Sequence, residues 1–572
     1  MPLRTVAVSD ALDAPGPSPA PGRSAGGWWL AFAAVALVAF GLVMAAGHGL
    51  TFFFDEWTWI LDRRDVTVDT LLQPHYGHLS LVPVAMYQVL FHTVGLRHYW
   101  PYRVMIATAH LGVAALVFAY LRRRVAPIAA LAGAALVLVF GAAWQVILWP
   151  FQTSFAMSLV GGIGALLFLD RRTRRADAGA AAMALLALAS SGVGVPLVAG
   201  VGLEIVLRRE WRRLWVVLGP GALYALWWAG YGERKGQADG VVGTARWAAE
   251  FAGATVGGVT GTGSTVGQVL LLPLAAVLVW GYLRADADRR PRVASLVAML
   301  VGYWLLIAFS RSGLQAPTTS RYLYAGGVLL VLVLGECCTG ISLRVPVATA
   351  LVVVVAFAVV VNVVDLFDGG DELRGFTQQK LAEVSAIDIG TRTLDPGYVA
   401  VRVPPPIDGR PLVAAFADLG SPALDVAGVR ALPDAYRRQA DGHLAATVGM
   451  GLTGATPPAG ARPTVTRGGP GTDVGASCVR FDPGASGAGS VDVEVVSSTR
   501  FLRVEALGTA PVDVRLRAFG DDYFAQDPPY ATVPDGGARN LPTPRSAAPR
   551  WHVGLRSAAA FEVCGTPGPA PH

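Results

Sequence analysis

The sequence predicts a polytopic α-helical membrane protein of about eleven transmembrane helices, followed by an extracytoplasmic β-sandwich or jelly-roll domain. Three observations predict it. Apolar runs long enough to cross a bilayer dominate from Trp28 to about Val364. Arginine clusters follow every second run. From Asp365 the apolar density falls, and segments alternating with a period of two residues take over.

The composition agrees with a membrane chain. Charged residues make up 15% of it, against about a quarter in a soluble protein, and the mean hydropathy is +0.48. The net charge of +6 comes from arginines grouped between apolar runs, which is a topology pattern. The partner this demands is a lipid bilayer, and no nucleic acid is expected.

Residues 1–26, rich in Pro, Ala, Gly and Ser, read as a disordered cytoplasmic tail. The transmembrane region covers 27–364. Its expected spans lie at about 28–47, 100–121, 125–143, 151–169, 178–191, 193–207, 214–231, 266–283, 293–309, 323–340 and 345–364. The stretch 178–207 fits either one long helix or two short ones; Gly192, Gly194 and Pro196 favour a hairpin. Arginine clusters at 122–124, 171–175, 208–213 and 284–292, with Arg344, mark the cytoplasmic connections. The N-terminus is then inside a cell membrane and the C-terminal domain outside. The outer connections are expected at about 48–99, 232–265 and 310–322, where polar and aromatic residues collect.

A linker at 365–395 carries Leu373, Phe376, Leu381 and Val384 on one amphipathic helix. The β-rich domain is expected over 396–572, with strands at Tyr398–Val403, Val491–Val496, Val512–Phe519 and Phe561–Cys564. Cys337 and Cys338 lie in an apolar run and read as core residues. Cys478 and Cys564 are either a disulfide, if their domain is extracytoplasmic, or two buried thiols.

Candidate chemistry concentrates on the expected outer face. Asp55 and Glu56 stand side by side among Phe52, Phe53, Trp57 and Trp59 at the membrane boundary, where carboxylates are costly without a role. Either suits general-base work; the plainer alternative is a solvated helix start. His75 and His78 follow in the same loop and could join Asp55 or Glu56 around a divalent metal, although such histidines more often anchor by hydrogen bonds. Arg311 and Arg321 sit outside against the charge bias, and Tyr322 follows Arg321 at a helix start; guanidinium groups there can hold a phosphate bidentately or snorkel to headgroups. Gln152, after Trp149, and Gln315, after Arg311, complete a polar vestibule.

These motifs, in this order, resemble the GT-C superfamily of integral membrane glycosyltransferases: Asp55-Glu56 after the first span, the His-containing stretch Pro74–Pro83, the helix start Trp149–Gln152, the hairpin Ser190–Pro196, and Ser320-Arg321-Tyr322 opening a late span. The resemblance covers about 28–364 and identifies no subfamily. It implies a sugar carried on a polyprenyl phosphate and an extracytoplasmic glycan, lipid or protein acceptor, with Asp55 as base and Arg321 on the phosphate. The chain independently excludes a cytoplasmic nucleotide site, since no Gly-rich phosphate loop follows a strand. Competing readings are a transporter or lipid flippase, which would need polar groups at the midplane in two related halves, and a non-catalytic scaffold displaying the β-domain.

Overall fold

The computed structural model describes residues 23–233, 240–341, 345–390, 409–447, 460–469, 471–486, 489–496, 501–521, 529–542 and 552–566. The tail before Arg23, the strand expected at Tyr398–Val403 and Arg344 lie outside them. The first half is a helical bundle: α1 Arg23–Ala46, α2 Asp55–Asp62, α3 Val68–Leu72, α4 Leu81–Thr93, α5 Trp100–Leu121, α6 Pro127–Leu138, α7 Trp144–Leu148 and α8 Thr153–Leu169. It continues with α9 Arg174–Ser190, α10 Gly194–Leu207, α11 Trp215–Tyr231, α12 Gly240–Thr260, α13 Gly263–Arg284, α14 Arg290–Arg311, α15 Ser320–Cys337 and α16 Val345–Ile389.

Eight helical stretches among the described residues are long and apolar enough to cross a membrane. That corrects the expected eleven. The shortfall lies in α9, α10 and α11, of 17, 14 and 17 residues; at 1.5 Å per residue, α10 rises about 21 Å, short of a hydrocarbon core of about 30 Å. Ser191, Gly192 and Val193 separate α9 from α10, so 178–207 is a hairpin.

The segment 232–265 is an expected outer connection. Most of it is α12. Its glycines are not loop residues but the contact surface with α13: a Cβ on Gly253 would lie 2.4 Å from Gln268 Cγ, and one on Gly257 2.0 Å from the Gly263 carbonyl oxygen. Small residues four apart let two helix backbones approach this closely. Nor is 48–99 irregular, since it folds into α2, α3 and α4. The last expected span and the amphipathic segment form one unbroken helix, α16, whose far end buries Leu373 and Val384.

The arginine clusters gather at one end of the bundle. Arg123 and Arg124 after α5, Asp170 and Arg172 after α8, Arg208 after α10, Arg289 and Arg292 at the start of α14, and Glu336 near the end of α15 line one cavity there. The opposite ends of α5, α8 and α15, about 25–33 Å away by helix length, carry the candidate site.

Beyond α16 come α17 Gly409–Leu419, α18 Val426–Ala431, α19 Asp434–Thr447 and ten strands: β1 Thr464–Arg467, β2 Thr472–Val474, β3 Cys478–Phe481, β4 Val491–Val496, β5 Phe501–Ala506, β6 Val512–Arg517, β7 Ala531–Val533, β8 Ala538–Pro542, β9 His552–Ser557 and β10 Phe561–Thr566. They pair into two five-stranded antiparallel sheets, β1-β4-β9-β6-β7 and β2-β3-β10-β5-β8. Both sheets contribute to one apolar core, with Val493, Val553 and Leu516 from the first and Val479, Leu502 and Val563 from the second. Ala382 and Ala386 of α16 and Leu444 of α19 join that core and fasten the sheets to the bundle. Cys478 of β3 and Cys564 of β10 stand opposite each other in register and are disulfide-bonded.

Candidate active site

The chain turns sharply before α2. Phe54 has φ +46° and ψ −114°, outside the regions an aromatic residue ordinarily adopts. Such a residue costs about 1–3 kcal/mol and persists only where its surroundings impose it. Here they do. Asp55 and Glu56 open α2, and Glu56 is fully buried with both oxygens occupied. The Phe53 amide donates to its Oε2 at 2.8 Å, the Tyr87 hydroxyl to Oε1 at 2.5 Å, the Tyr99 hydroxyl to Oε2 at 2.9 Å, and Trp149 Nε1 to Oε2 at 3.2 Å. The donors come from the loop before α2, from α4, from the start of α5 and from the segment before α8. Burial outweighs these four donors and pushes the Glu56 carboxyl up to about 7. Glu56 is therefore a tie between elements, closed to any ligand.

Asp55 differs. It is buried, yet its Oδ1 has no hydrogen-bond partner, and it lies 3.9 Å from His75 Nε2, which also has none. That gap is too long for a direct hydrogen bond, so two buried polar atoms face each other unsatisfied. His75 is set by a tight turn: its amide donates to the His78 carbonyl at 2.9 Å and His78 returns the bond at 3.0 Å, with Tyr76 at φ +48° and Gly77 at φ +81° between them. Two central residues with positive φ are what such a two-residue turn requires, and Gly77 supplies one without strain. Arg63, buried in α2's C-terminal turn, holds the approach to the turn by donating to the carbonyls of Gln73 at 2.9 Å and Pro74 at 2.7 Å. Trp59 and Phe151 pack edge-on against the His75 ring.

Two arginines act on the same turn through their charge. Tyr76 hydrogen-bonds Asp55 and lies within the electrostatic reach of Asp55, Arg311 and Arg321; burial, then Asp55, raise its hydroxyl pKa, and the two arginines oppose that. His78 is held down to about 4, by burial first and then by Arg311 and His75, so it is neutral at pH 7. It also rests on the α9–α10 turn, where a Cβ on Gly192 would lie 2.7 Å from His78 Nδ1. Arg321, at the start of α15, donates from Nη1 to Gln145 Oε1 at 3.2 Å and has its guanidinium carbon 4.9 Å from the Tyr322 ring centroid. Tyr322 is itself buried, its carbonyl accepting the Tyr303 hydroxyl at 2.6 Å. Gln152 is buried with Oε1 unpartnered. The Gln315 carbonyl accepts from Trp247 Nε1 at 2.9 Å, which ties the segment after α14 to α12.

The structure thus brings Asp55, His75, Tyr76 and His78 to one turn, within the electrostatic range of Arg311 and Arg321, while Glu56 is engaged as a support. Sequence reading did not single out Arg63, Tyr87, Tyr99 or Gln145. No periodicity marks them as partners. Among the described residues, the group of three acids, histidines or cysteines close enough to share a metal is Cys478, Glu562 and Cys564, whose sulfurs are bonded to each other. Asp55, Glu56, His75 and His78 do not draw together in that way, and both Glu56 oxygens are already engaged.

No protein-family model matches the chain. No curated protein matches it in sequence. Among solved structures it is similar to ArnT from Cupriavidus metallidurans bound to undecaprenyl phosphate, at 15% identity over 70% of this chain and 86% of that one, with a TM-score of 0.43.

Proposed function

We propose that this protein is a membrane glycosyltransferase that moves a sugar from a polyprenyl-phosphate donor to an extracytoplasmic glycan, lipid or protein acceptor. The observation that carries the reading is the unpaired Asp55 oxygen facing His75, on a turn that also lies in the field of Arg311 and Arg321. Sugar transfer from a phosphate needs both signs at one place. Asp55 takes the acceptor hydroxyl proton as the oxygen attacks the anomeric carbon. The bond from that carbon to the phosphate oxygen breaks, its electron pair leaves with the phosphate, and the guanidinium groups stabilise the charge that develops. His75 orients Asp55 or the acceptor, and Gln152 offers an unsatisfied carbonyl oxygen to a sugar hydroxyl. Glu56 positions the loop. The orientation that fits is the one in which the arginine end faces the cytoplasm and the Asp55 end, with the two-sheet domain, faces out.

The test is release of polyprenyl phosphate from polyprenyl-phosphate hexose and pentose donors by the full-length protein in nanodiscs, with envelope extract as acceptor source. Asp55→Asn keeps shape and removes the base, so release is expected to fall roughly 10²–10⁴-fold while the thermal midpoint stays within a few degrees. Release equal to the parent protein's would refute the assignment of Asp55, and no release from any donor by the parent protein would refute the reaction class.

A further inference from the structure

At the other end of the bundle the arginine cluster does more than mark topology. A cavity of about 310 Å³ is lined by seven arginines, Arg123, Arg124, Arg172, Arg208, Arg213, Arg289 and Arg292, and four acids, Asp170, Glu204, Asp288 and Glu336. The acids are spoken for. Glu204 accepts from Arg208 Nε at 2.9 Å and Arg292 Nε at 2.6 Å; Asp170 accepts from Arg292 Nη2 at 2.7 Å; Asp288 accepts from Arg172 Nη2 at 2.9 Å and Arg208 Nη1 at 2.7 Å; Glu336 pairs with Arg124. Arg213 is matched from outside the lining by Asp177 at 2.6 Å and by Glu210, so the arginines retain one positive charge beyond the acids that pair with them. Its floor is buried: Arg292, Glu204 and Glu336 have side chains 3%, 1% and 4% exposed, while Arg172 and Asp288 at the rim are 54% and 71% exposed. Arg292 Nη1 on this lining is buried without a hydrogen-bond acceptor, and Arg289 Nε, also without one, stands 3.5 Å from Glu336 Oε1. Buried guanidinium donors without acceptors are costly, and a net positive cavity with an exposed rim has room for what would satisfy them.

We propose that this cavity is a second ligand site that binds a phosphate group, separate from the transfer site and independent of the reading given above. The ligand is a phosphate anion with at least one unesterified charge: it supplies acceptor oxygens to Arg292 and Arg289, and it offsets the excess charge of the lining. Its source is either an anionic phospholipid headgroup entering from the bilayer or a free phosphate from solution.

The test uses the full-length protein, with phosphatidylglycerol and phosphatidylcholine as lipid probes and inorganic pyrophosphate as the soluble one. Lipid retention is read by native mass spectrometry and pyrophosphate binding by thermal shift. The variants are Arg123→Gln/Arg172→Gln at the exposed rim, which should fold, and Arg284→Gln/Arg290→Gln, which lie outside the lining and serve as the control for general attraction to acidic lipid. The rim variant is expected to bind about tenfold more weakly, as loss of charge-assisted contacts implies. The control is expected to match the parent. Rim-dependent retention of phosphatidylglycerol over phosphatidylcholine, undisturbed by pyrophosphate, assigns the lipid source. Rim-dependent binding of pyrophosphate assigns the free one. Equal loss in both variants, or no binding beyond that of phosphatidylcholine, overturns the proposal and leaves a closed ion-pair network. Arg292→Gln, if it folds, should abolish the same signal.

Discussion

Replacing Glu56 by Gln should uncouple the stability of this protein from pH without dismantling the site. The wild-type carboxyl moves from an ordinary 4.5 to about 7 on folding. Because the folded value is raised, the stability associated with the protonated acid is fully present below about pH 4.5. It is lost as the pH rises through 7 and stays lost above it. A shift of that size corresponds to a cost on the order of 3 kcal/mol at pH 8 relative to pH 4.5. Gln carries no charge and fits the same four contacts. Its carbonyl oxygen can take the Oε2 position and keep Phe53, Tyr99 and Trp149, while its amide donates to a rotated Tyr87 hydroxyl. Thermal midpoints of the two proteins in the same detergent, taken from pH 4.5 to 8, should therefore diverge as pH rises, the variant gaining on the parent. Glu56→Ala, by contrast, strands four buried donors and should lose about 4 kcal/mol or more at every pH. A Glu56→Gln variant whose midpoint tracks the parent's across the whole range would refute the account of a buried, charge-strained tie. Loss of activity in Glu56→Gln with activity retained in Asp55→Asn would reverse the two roles.

Arg321→Lys keeps a charge but loses the planar fork that meets Gln145 Oε1 and stacks beside Tyr322; donor KM should rise about tenfold with assembly intact, and an unchanged KM counts against a phosphate role. Cys478→Ser with Cys564→Ser opens a loop of 86 residues and should cost about 4 kcal/mol in unfolding of the two-sheet domain, an effect that reductant should reproduce on the parent protein; equal midpoints with and without reductant would contradict it. Gly257→Leu drives a side chain into the α13 backbone, where a Cβ alone would already sit 2.0 Å from the Gly263 carbonyl oxygen; a loss of about 3 kcal/mol or failure to fold is expected, and a normal midpoint would show that α12 and α13 do not pack this way.

Hydropathy and arginine spacing carried the architecture because both are set by the bilayer itself: apolar length is imposed by its thickness, and arginine placement by the side on which a loop stays. The clusters at 122–124, 171–175, 208–213 and 284–292 do meet at one end of the bundle. The helix within 232–265 was not legible. In α12, Gly253 and Gly257 signal close helix contact, but in a one-dimensional sequence the same residues beside Thr look like loop. Strand alternation at Val491–Val496 and Phe561–Cys564 was legible because one face of each sheet is buried in a shared core. The division of labour between Asp55 and Glu56 was not legible. Adjacent acids look equivalent in sequence, and their fates depend on Tyr87, Tyr99 and Trp149, which are 31, 43 and 93 residues from Glu56 in the chain. The positive φ of Phe54 left no trace either, because an aromatic residue gives no warning of it.

On the proposed mechanism, that strained residue accounts for two acids where the chemistry asks for one. In the proposed reaction a base must keep a lone pair free, and Asp55 leaves Oδ1 without a donor; each further donor given to it would weaken it as a proton acceptor. Its position must be imposed through the backbone. Glu56, the next residue, is suited to do so because consecutive helical side chains project about 100° apart. One can be anchored inside while its neighbour faces His75. The anchor absorbs three side-chain donors and the Phe53 amide, which offsets the unfavourable dihedrals at Phe54. Arg63, tied to the carbonyls of Gln73 and Pro74, fixes the opposite wall, so the gap between Asp55 and His75 is set from both sides by buried clamps. A loop held only by its own turn would let that gap collapse into a direct ion pair or open to water. The buried clamps keep it at 3.9 Å, with an unsatisfied atom on each side.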